Sequence, residues 1–329
     1  MLPFKVVYRE DYYLPIGEHV FPSNKYRLVH EKLIESGIAD ENDFLSPQPA
    51  TDTDVLLVHT PVYVHKLKTG TLSAREELEL EVPYSRELVD AFYLQAGGSM
   101  LAAQCALRDN VCVHAGGGFH HAFPDHGEGF CVIHDVAVAI RHVQQQGIIA
   151  RAMTLDCDVH QGNGTAAIFH GHAEPFPPPL AWSAGLTAPR KPATMMQSSS
   201  RDVFTISLHQ ENNYPAWKPP SSIDVNLPDG TSNEEYLRWL EQAMISGFEQ
   251  FEPELLCYIA GADPYVEDQL GGLALTIEGL KQRDRLVFSF ARARGVPVMV
   301  TFAGGYALKL QDTIDIHTNT VIAAKEVFG

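Results

Sequence analysis

Ala152-Met153-Thr154-Leu155-Asp156-Cys157-Asp158-Val159-His160-Gln161-Gly162-Asn163-Gly164-Thr165 decides how this chain folds. Ala152 to Leu155 is a short run, apolar apart from Thr154, the pattern of a strand buried on both faces. Side chains alternate along extended backbone, so Asp156, Asp158 and His160 are expected on one face, with Cys157 and Val159 on the other. A helix is expected to begin near Gly164. Carboxylates and an imidazole spaced by two at a strand end suit a divalent metal. The alternative is a strand end meeting solvent, with polar caps for the next helix.

The same alternation extends outward in both directions. Short apolar runs at Val6–Tyr8, Val111–Val113, Val203–Leu208, Leu255–Ile259 and Val298–Phe302 read as further strands. Helical spacing covers Lys25–Ser36, Pro83–Arg108, Val132–Gln146, Asn233–Phe251 and Thr276–Ala293, and Thr51–Lys68 reads as two short helices broken near Pro61. Strands alternating with helices predict an α/β fold, with a mainly parallel central sheet covered on both faces. One stretch interrupts the pattern: 170–200, rich in Pro, Ala and Ser, lacks a sustained period and reads as an insert loop. It connects a helix to a strand, which places it at the N-terminal edge of a parallel sheet. Ligand sites in such sheets lie at the opposite edge, so the insert is expected far from the chemistry.

Composition excludes several classes. The 329 residues carry 24 Lys+Arg against 41 Asp+Glu, a formal charge of −17. Direct nucleic-acid binding is not expected of so acidic a chain. Five cysteines without a CxxC pair argue against a disulfide framework or a thiolate zinc site. No apolar run approaches the ~18 residues of a membrane span, and the N-terminus does not resemble a signal peptide. A cytoplasmic protein is expected.

The remaining polar clusters also follow strands. Asp263, in Ala260-Gly261-Ala262-Asp263-Pro264, can complete an Asp-His-Asp metal set, although Asp before Pro is also a turn former. Gly116-Gly117-Gly118-Phe119-His120-His121 offers a glycine turn and a histidine pair able to act as general base and acid. A phosphate loop is the other use of such glycines, but no Walker spacing appears. Two surface histidines in a loop is the alternative for the pair. Phe302-Ala303-Gly304-Gly305-Tyr306 presents a phenol that can donate to an oxyanion or simply pack.

Taken together, GGGFHHAFPDHGEGF at 116–130, LDCDVHQGNGT at 155–165, AGADPYVEDQLGGLALT at 260–276 and AGGY at 303–306 resemble the histone deacetylase superfamily. Their order and spacing match from the Tyr8 strand to Tyr306. Gln161, Asn163, Asp268-Gln269-Leu270-Gly271-Gly272-Leu273 and His19-Val20-Phe21-Pro22 resemble the class IV branch and bacterial deacetylase-like amidohydrolases. The resemblance implies one arginase/deacetylase-like three-layer domain over 1–329. It implies zinc on Asp158, His160 and Asp263, with Fe2+ as a possible substitute. His120 and His121 become the catalytic pair, His121 the general base and acid, and Tyr306 the oxyanion donor. Asp156 is placed behind His120. A structural potassium ion is implied at Asp156, Asp158, His160, Ser207 and Leu208. Gly129, Phe130 and Tyr214 line the implied substrate tunnel.

Many relatives carry His and Asp where this chain has Gln161 and Asn163, so His121 is expected to lack a carboxylate partner. His134 is expected to be a helix-start polar residue, and His126 to lie near the rim. The expected substrate is an acyl-lysine peptide or protein. An acylated small amine such as an acetylpolyamine is the alternative, and an inactive acyl-group or metal-binding module is the alternative of another class. The sequence leaves the oligomeric state and the acyl chain length open.

Overall fold

A computed structural model describes residues 1–170, 194–197 and 202–329 of the chain. Its strands are β1 (Lys5–Val7), β2 (Phe44–Leu45), β3 (Val111–His114), β4 (Ala152–Asp156), β5 (Thr194–Gln197), β6 (Val203–Gln210), β7 (Ile223–Leu227), β8 (Leu255–Ile259) and β9 (Val298–Thr301). They form one sheet in the order β2-β1-β3-β9-β8-β4-β6-β7-β5. Every neighbouring pair is parallel except β5–β7. The helices are α1 (Lys25–Glu35), α2 (Asp52–Val55), α3 (Pro61–Thr69), α4 (Ala74–Leu80), α5 (Arg86–Asp109), α6 (Asp135–Gln145), α7 (Asn163–His170), α8 (Asn233–Gln250), α9 (Ile277–Ala293) and α10 (Leu310–Phe328).

Every residue of β3, β4, β8 and β9 is buried, which is why these strands read as predominantly apolar runs. Their side chains alternate between two apolar clusters. Val113, Val300, Leu256 and Tyr258 enter one, while Cys112, Met299, Leu255 and Cys257 enter the other. The sheet is therefore the middle of three layers, as the sequence predicts. All five cysteines are buried and unpaired.

Register places the site. His114 pairs with Thr301, Thr301 with Ile259, Ile259 with Asp156, and Asp156 with Ser207. Four parallel strands thus end level with one another, and the loops that leave them carry 116–121, 157–163, 260–264 and 302–306. Two of these loops are clamped from below by α9. Arg283, fully buried, donates through Nη1 to the carbonyls of Gly261 (2.6 Å) and Cys157 (3.3 Å), and through Nε to Asp284 (2.9 Å). Tyr258 and Thr320 hydroxyls also donate to Asp284. Arg283→Met strands that carboxylate without its cation and frees both loop carbonyls. Breaking a buried pair in this way costs about 3–5 kcal/mol. A urea titration is expected to show a lower midpoint with an unchanged slope.

Several boundaries differ from the sequence reading. The helix expected from Val132 begins at Asp135, because the His134 side chain accepts from Ala137 N–H (3.2 Å) and caps it. This is the helix-start role expected of His134. β4 stops at Asp156, so Asp158 and His160 sit on a bend rather than on a continuing strand. The expected insert loop at 170–200 needs correction at Thr194–Gln197, which adds to the sheet edge antiparallel to β7. Four residues are too few for their period to show in the sequence. Residues 171–193 and 198–201 lie outside the described residues, and with them the expectation that the insert is remote. The elements β2, β7, α4 and α10 were not legible.

Candidate metal and catalytic site

The bend after β4 is built by local hydrogen bonds. Asp156 Oδ1 accepts from Asp158 N–H (3.1 Å), and Asp158 Oδ1 accepts from His160 N–H (3.0 Å). The imidazole folds back, placing His160 Nδ1 3.0 Å from Asp158 Oδ1 and 3.4 Å from Asp263 Oδ2. Asp263 arrives from the loop after β8 and is anchored by Val159 N–H to its Oδ1 (2.9 Å). One donor atom from each of Asp158, His160 and Asp263 lies within 4.8 Å of the others. Gly304 closes the cradle, donating its N–H to Asp158 Oδ2 (2.9 Å). A Cβ at 304 would sit 2.0 Å from Asp263 Oδ2, so only glycine fits there.

This cluster is chemically unbalanced by itself. Asp263 Oδ2 is buried and has no hydrogen-bond partner. Burial and the facing Asp158 push the Asp263 pKa up to about 7, against the pull of His160. Burial alone would depress His160, but Asp158 and Asp263 outweigh it and raise its pKa to about 10. Burial likewise opposes the charge on Asp158, yet His120 and His160 hold its pKa well below the usual range. Two carboxylates and one imidazole around an orphaned oxygen fit a divalent cation, and the N/O donor set suits zinc.

The histidine pair stands beside this cluster, its ring centroids 4.1 Å apart. His120 Nδ1 bonds to Asp156 Oδ2 (2.7 Å). Burial disfavours its charge, but Asp156 and then Asp158 overcome this and raise its pKa to about 9. His121 Nδ1 donates to Asn163 Oδ1 (2.7 Å), not to a carboxylate, as expected. Burial, then His120 and His160, hold the His121 pKa well below its ordinary value. Gln161 turns away, donating to the Pro219 carbonyl and to Asp224.

Tyr306 completes the ring of groups, with its centroid 6.4 Å from that of His160. Its backbone is held by Asp268, which accepts the Tyr306 N–H (2.7 Å), and by Gln269, which donates to the Tyr306 carbonyl. Burial, then Asp158 and Asp263, push its phenol pKa far up, so the hydroxyl remains a donor. Gly129 and Phe130 take left-handed backbone (φ 52° and 68°). For Phe130 this is uncommon. It brings Gly129 against His121 and Tyr214, and the Phe130 ring within 6.1 Å of Tyr306. Tyr214 meets His121 edge-on at 5.0 Å. Ser207 lies beside Asp156 in the β4–β6 ladder, its hydroxyl bonded to His209, and Leu208 follows it. Each residue expected at the site therefore gathers at one sheet edge. His126 stacks on Phe123 and bonds to Asp125, on the loop that leads to Gly129.

Three residues near the site have no role assigned by the sequence. Lys25 is fully buried and donates to the Ala303 carbonyl (2.5 Å), with burial lowering its pKa to about 8. Asp268 anchors Tyr306. Glu128 accepts from Asn163 and Tyr214. The only local signal for Glu128 is a charge between two glycines; its hydrogen-bond donors Asn163 and Tyr214 lie 35 and 86 residues away, and His126 Nε2 is 3.7 Å from its Oε2.

Level parallel strand ends that gather an Asp-His-Asp set, a buried histidine pair and a tyrosine define an α/β protein with a hydrolytic type of centre. The family model described as "Histone deacetylase domain" matches residues 19–321, and the chain belongs to the histone deacetylase family. It is 37% identical over 326 residues to an uncharacterised protein of Picosynechococcus sp., covering 99% of both chains. It is 30% identical over 297 residues to Histone deacetylase 2 of Arabidopsis thaliana, covering 88% of this chain and 70% of that one. The fold is similar to the crystal structure of an HDAC homologue complexed with SAHA, with TM-score 0.75 and 24% identity, covering 99% of this chain and 84% of that one. The chain is a hydrolase of the deacetylase and amidohydrolase kind. Among the described residues, no helix is long and apolar enough to cross a membrane.

Proposed function

We propose that this protein is a zinc-dependent lysine deacylase, hydrolysing the amide bond of N-acylated lysine in cytoplasmic peptides or proteins. The observation that carries this reading is the buried Asp263 Oδ2, which no hydrogen bond satisfies and which is gathered with Asp158 and His160 directly beside the histidine pair. Asp158, His160 and Asp263 would hold the ion, and iron(II) would find the same donors acceptable. Bound there, the ion supplies Lewis acidity, lowering a coordinated water's pKa from 15.7 towards roughly 7 and polarising the acyl carbonyl. A structural potassium ion would be held by Asp156, Asp158, His160, Ser207 and Leu208.

The protein groups divide the work. His121, with Nδ1–H committed to Asn163, keeps Nε2 free to take the proton of the attacking water. The Tyr306 hydroxyl donates to the oxyanion that develops on the acyl oxygen. His121 then returns the proton to the amine nitrogen as the C–N bond breaks, leaving a free lysine amine and a carboxylate. His120, tied to Asp156, places positive charge next to that oxyanion. Gly129, Phe130 and Tyr214 would hold the substrate's methylenes. Gln161 and Asn163 favour the class IV branch.

A panel of acetyl-, lactyl-, octanoyl- and myristoyl-lysine peptides, assayed beside acetylpolyamines with metal analysis of the same sample, tests the reading. Release of a carboxylate from at least one peptide is expected. Turnover of the polyamines alone would replace the substrate class, and no turnover by the metal-loaded protein would leave a binding module.

A further inference from the structure

Glu128 lies between Gly127 and Gly129, and its side chain is 13% exposed. Its Oε1 accepts from Asn163 Nδ2 (2.8 Å) and from the Tyr214 hydroxyl (2.7 Å). Asn163 Oδ1, on the other side of the same amide, accepts from Gly164 N–H (3.1 Å) and from His121 Nδ1 (2.7 Å). Oxygen and nitrogen of an asparagine amide are distinguished only by their partners. Here two partners agree. The Gly164 N–H can only donate, so it faces Oδ1, while the Glu128 carboxylate can only accept, so it faces Nδ2.

We infer that Glu128 is a positioning residue for the proposed deacylase reaction, fixing the Nδ1–H tautomer of His121 through Asn163 and holding Tyr214 with the same oxygen. The chain reads Glu128 ← Asn163 ← His121, each arrow opposite to the direction of donation being excluded by the fixed acceptor at its end. With Nδ1 committed to donating, Nε2 is the imidazole's lone pair and the base. The carboxylate missing beside His121 is thus present one amide further out. This placement rests on the functional reading above only for its consequence in turnover; the tautomer stands on the hydrogen bonds.

Glu128→Leu removes the acceptor, and loss of such an outer partner typically costs about 10–100-fold. The expected loss is mainly in kcat, with a smaller rise in KM from the released Tyr214 and unchanged zinc content, and Glu128→Gln is expected to restore most of both because its Oε1 still accepts. The sharper test reverses the pair. Asn163→Asp alone sets two carboxylates in contact and should lose rate. Adding Glu128→Gln lets the new amide donate to the carboxylate at 163, so the double variant is expected to be faster than Asn163→Asp alone. Two purely structural losses would add instead, and additivity overturns the relay. Nitrogen-15 NMR of the zinc-loaded protein, with His121 assigned by a His121→Asn control, reads the tautomer without turnover. Nδ1–H is expected in the wild type, and a rise of the Nε2–H form in Glu128→Leu, where the Gly164 N–H alone still orients the amide. An unchanged tautomer overturns the inference even in an active enzyme. If no acyl-lysine peptide is hydrolysed, the functional reading fails while the tautomer result still decides the relay.

Discussion

Asp263→Ala is expected to lose the metal and, with it, essentially all turnover. Asp263 supplies one of three donors, and two remaining donors make an incomplete coordination sphere for zinc. Val159 N–H uses Oδ1, and the buried Oδ2 has only the facing His160 at 3.4 Å and no hydrogen bond. Elemental analysis after dialysis is expected to give near-stoichiometric zinc in the wild type and little in the variant. Melting curves separate loss of metal from loss of fold. A ligand that binds only the native state raises stability by RT ln(1 + [L]/Kd), so added zinc raises the wild-type Tm and leaves the variant's unmoved. Full zinc occupancy in Asp263→Ala would remove Asp263 from the ligand set.

Tyr306→Phe is expected to do the opposite: keep the metal and lose the rate. The ring stays packed near Phe21 and Phe130, and the backbone keeps Asp268 and Gln269. Only the hydroxyl goes. Removing one oxyanion donor costs about 10²–10³-fold in kcat, or ~3–4 kcal/mol. Steady-state kinetics on an acyl-lysine peptide should show this fall in kcat with little change in KM, at unchanged zinc content. A variant with full rate would assign the oxyanion to another donor.

The two substitutions differ in what sets their residues in place. Asp158 and His160 are positioned by hydrogen bonds within the bend that carries them, which is why their spacing was readable. Asp263 and Tyr306 come from loops more than a hundred residues further on. The sequence shows them only as polar residues after apolar runs, and their convergence depends on β8 and β9 lying beside β4 and β3 in level register. Strands buried on both faces show in the sequence because such burial demands mostly apolar residues. β2 and β5 were too short, and β7 carries Asp224 and Asn226, which break its run.

By itself, the sequence determined the alternating α/β order and pointed to polar residues at strand ends, the Asp-His-Asp set and the histidine pair among them, as candidates for the chemistry. Each is encoded locally, in apolar runs, glycine turns and spacings of two. Only the tertiary structure decided that Asp263 Oδ2 is left without a hydrogen bond, that Arg283 ties together the loops after β4 and β8, and that Glu128 reaches His121 through Asn163. Each of these is a contact between segments far apart in the chain. A hydrogen bond's direction and an orphaned atom are properties of packed neighbours, and no spacing along one segment records them.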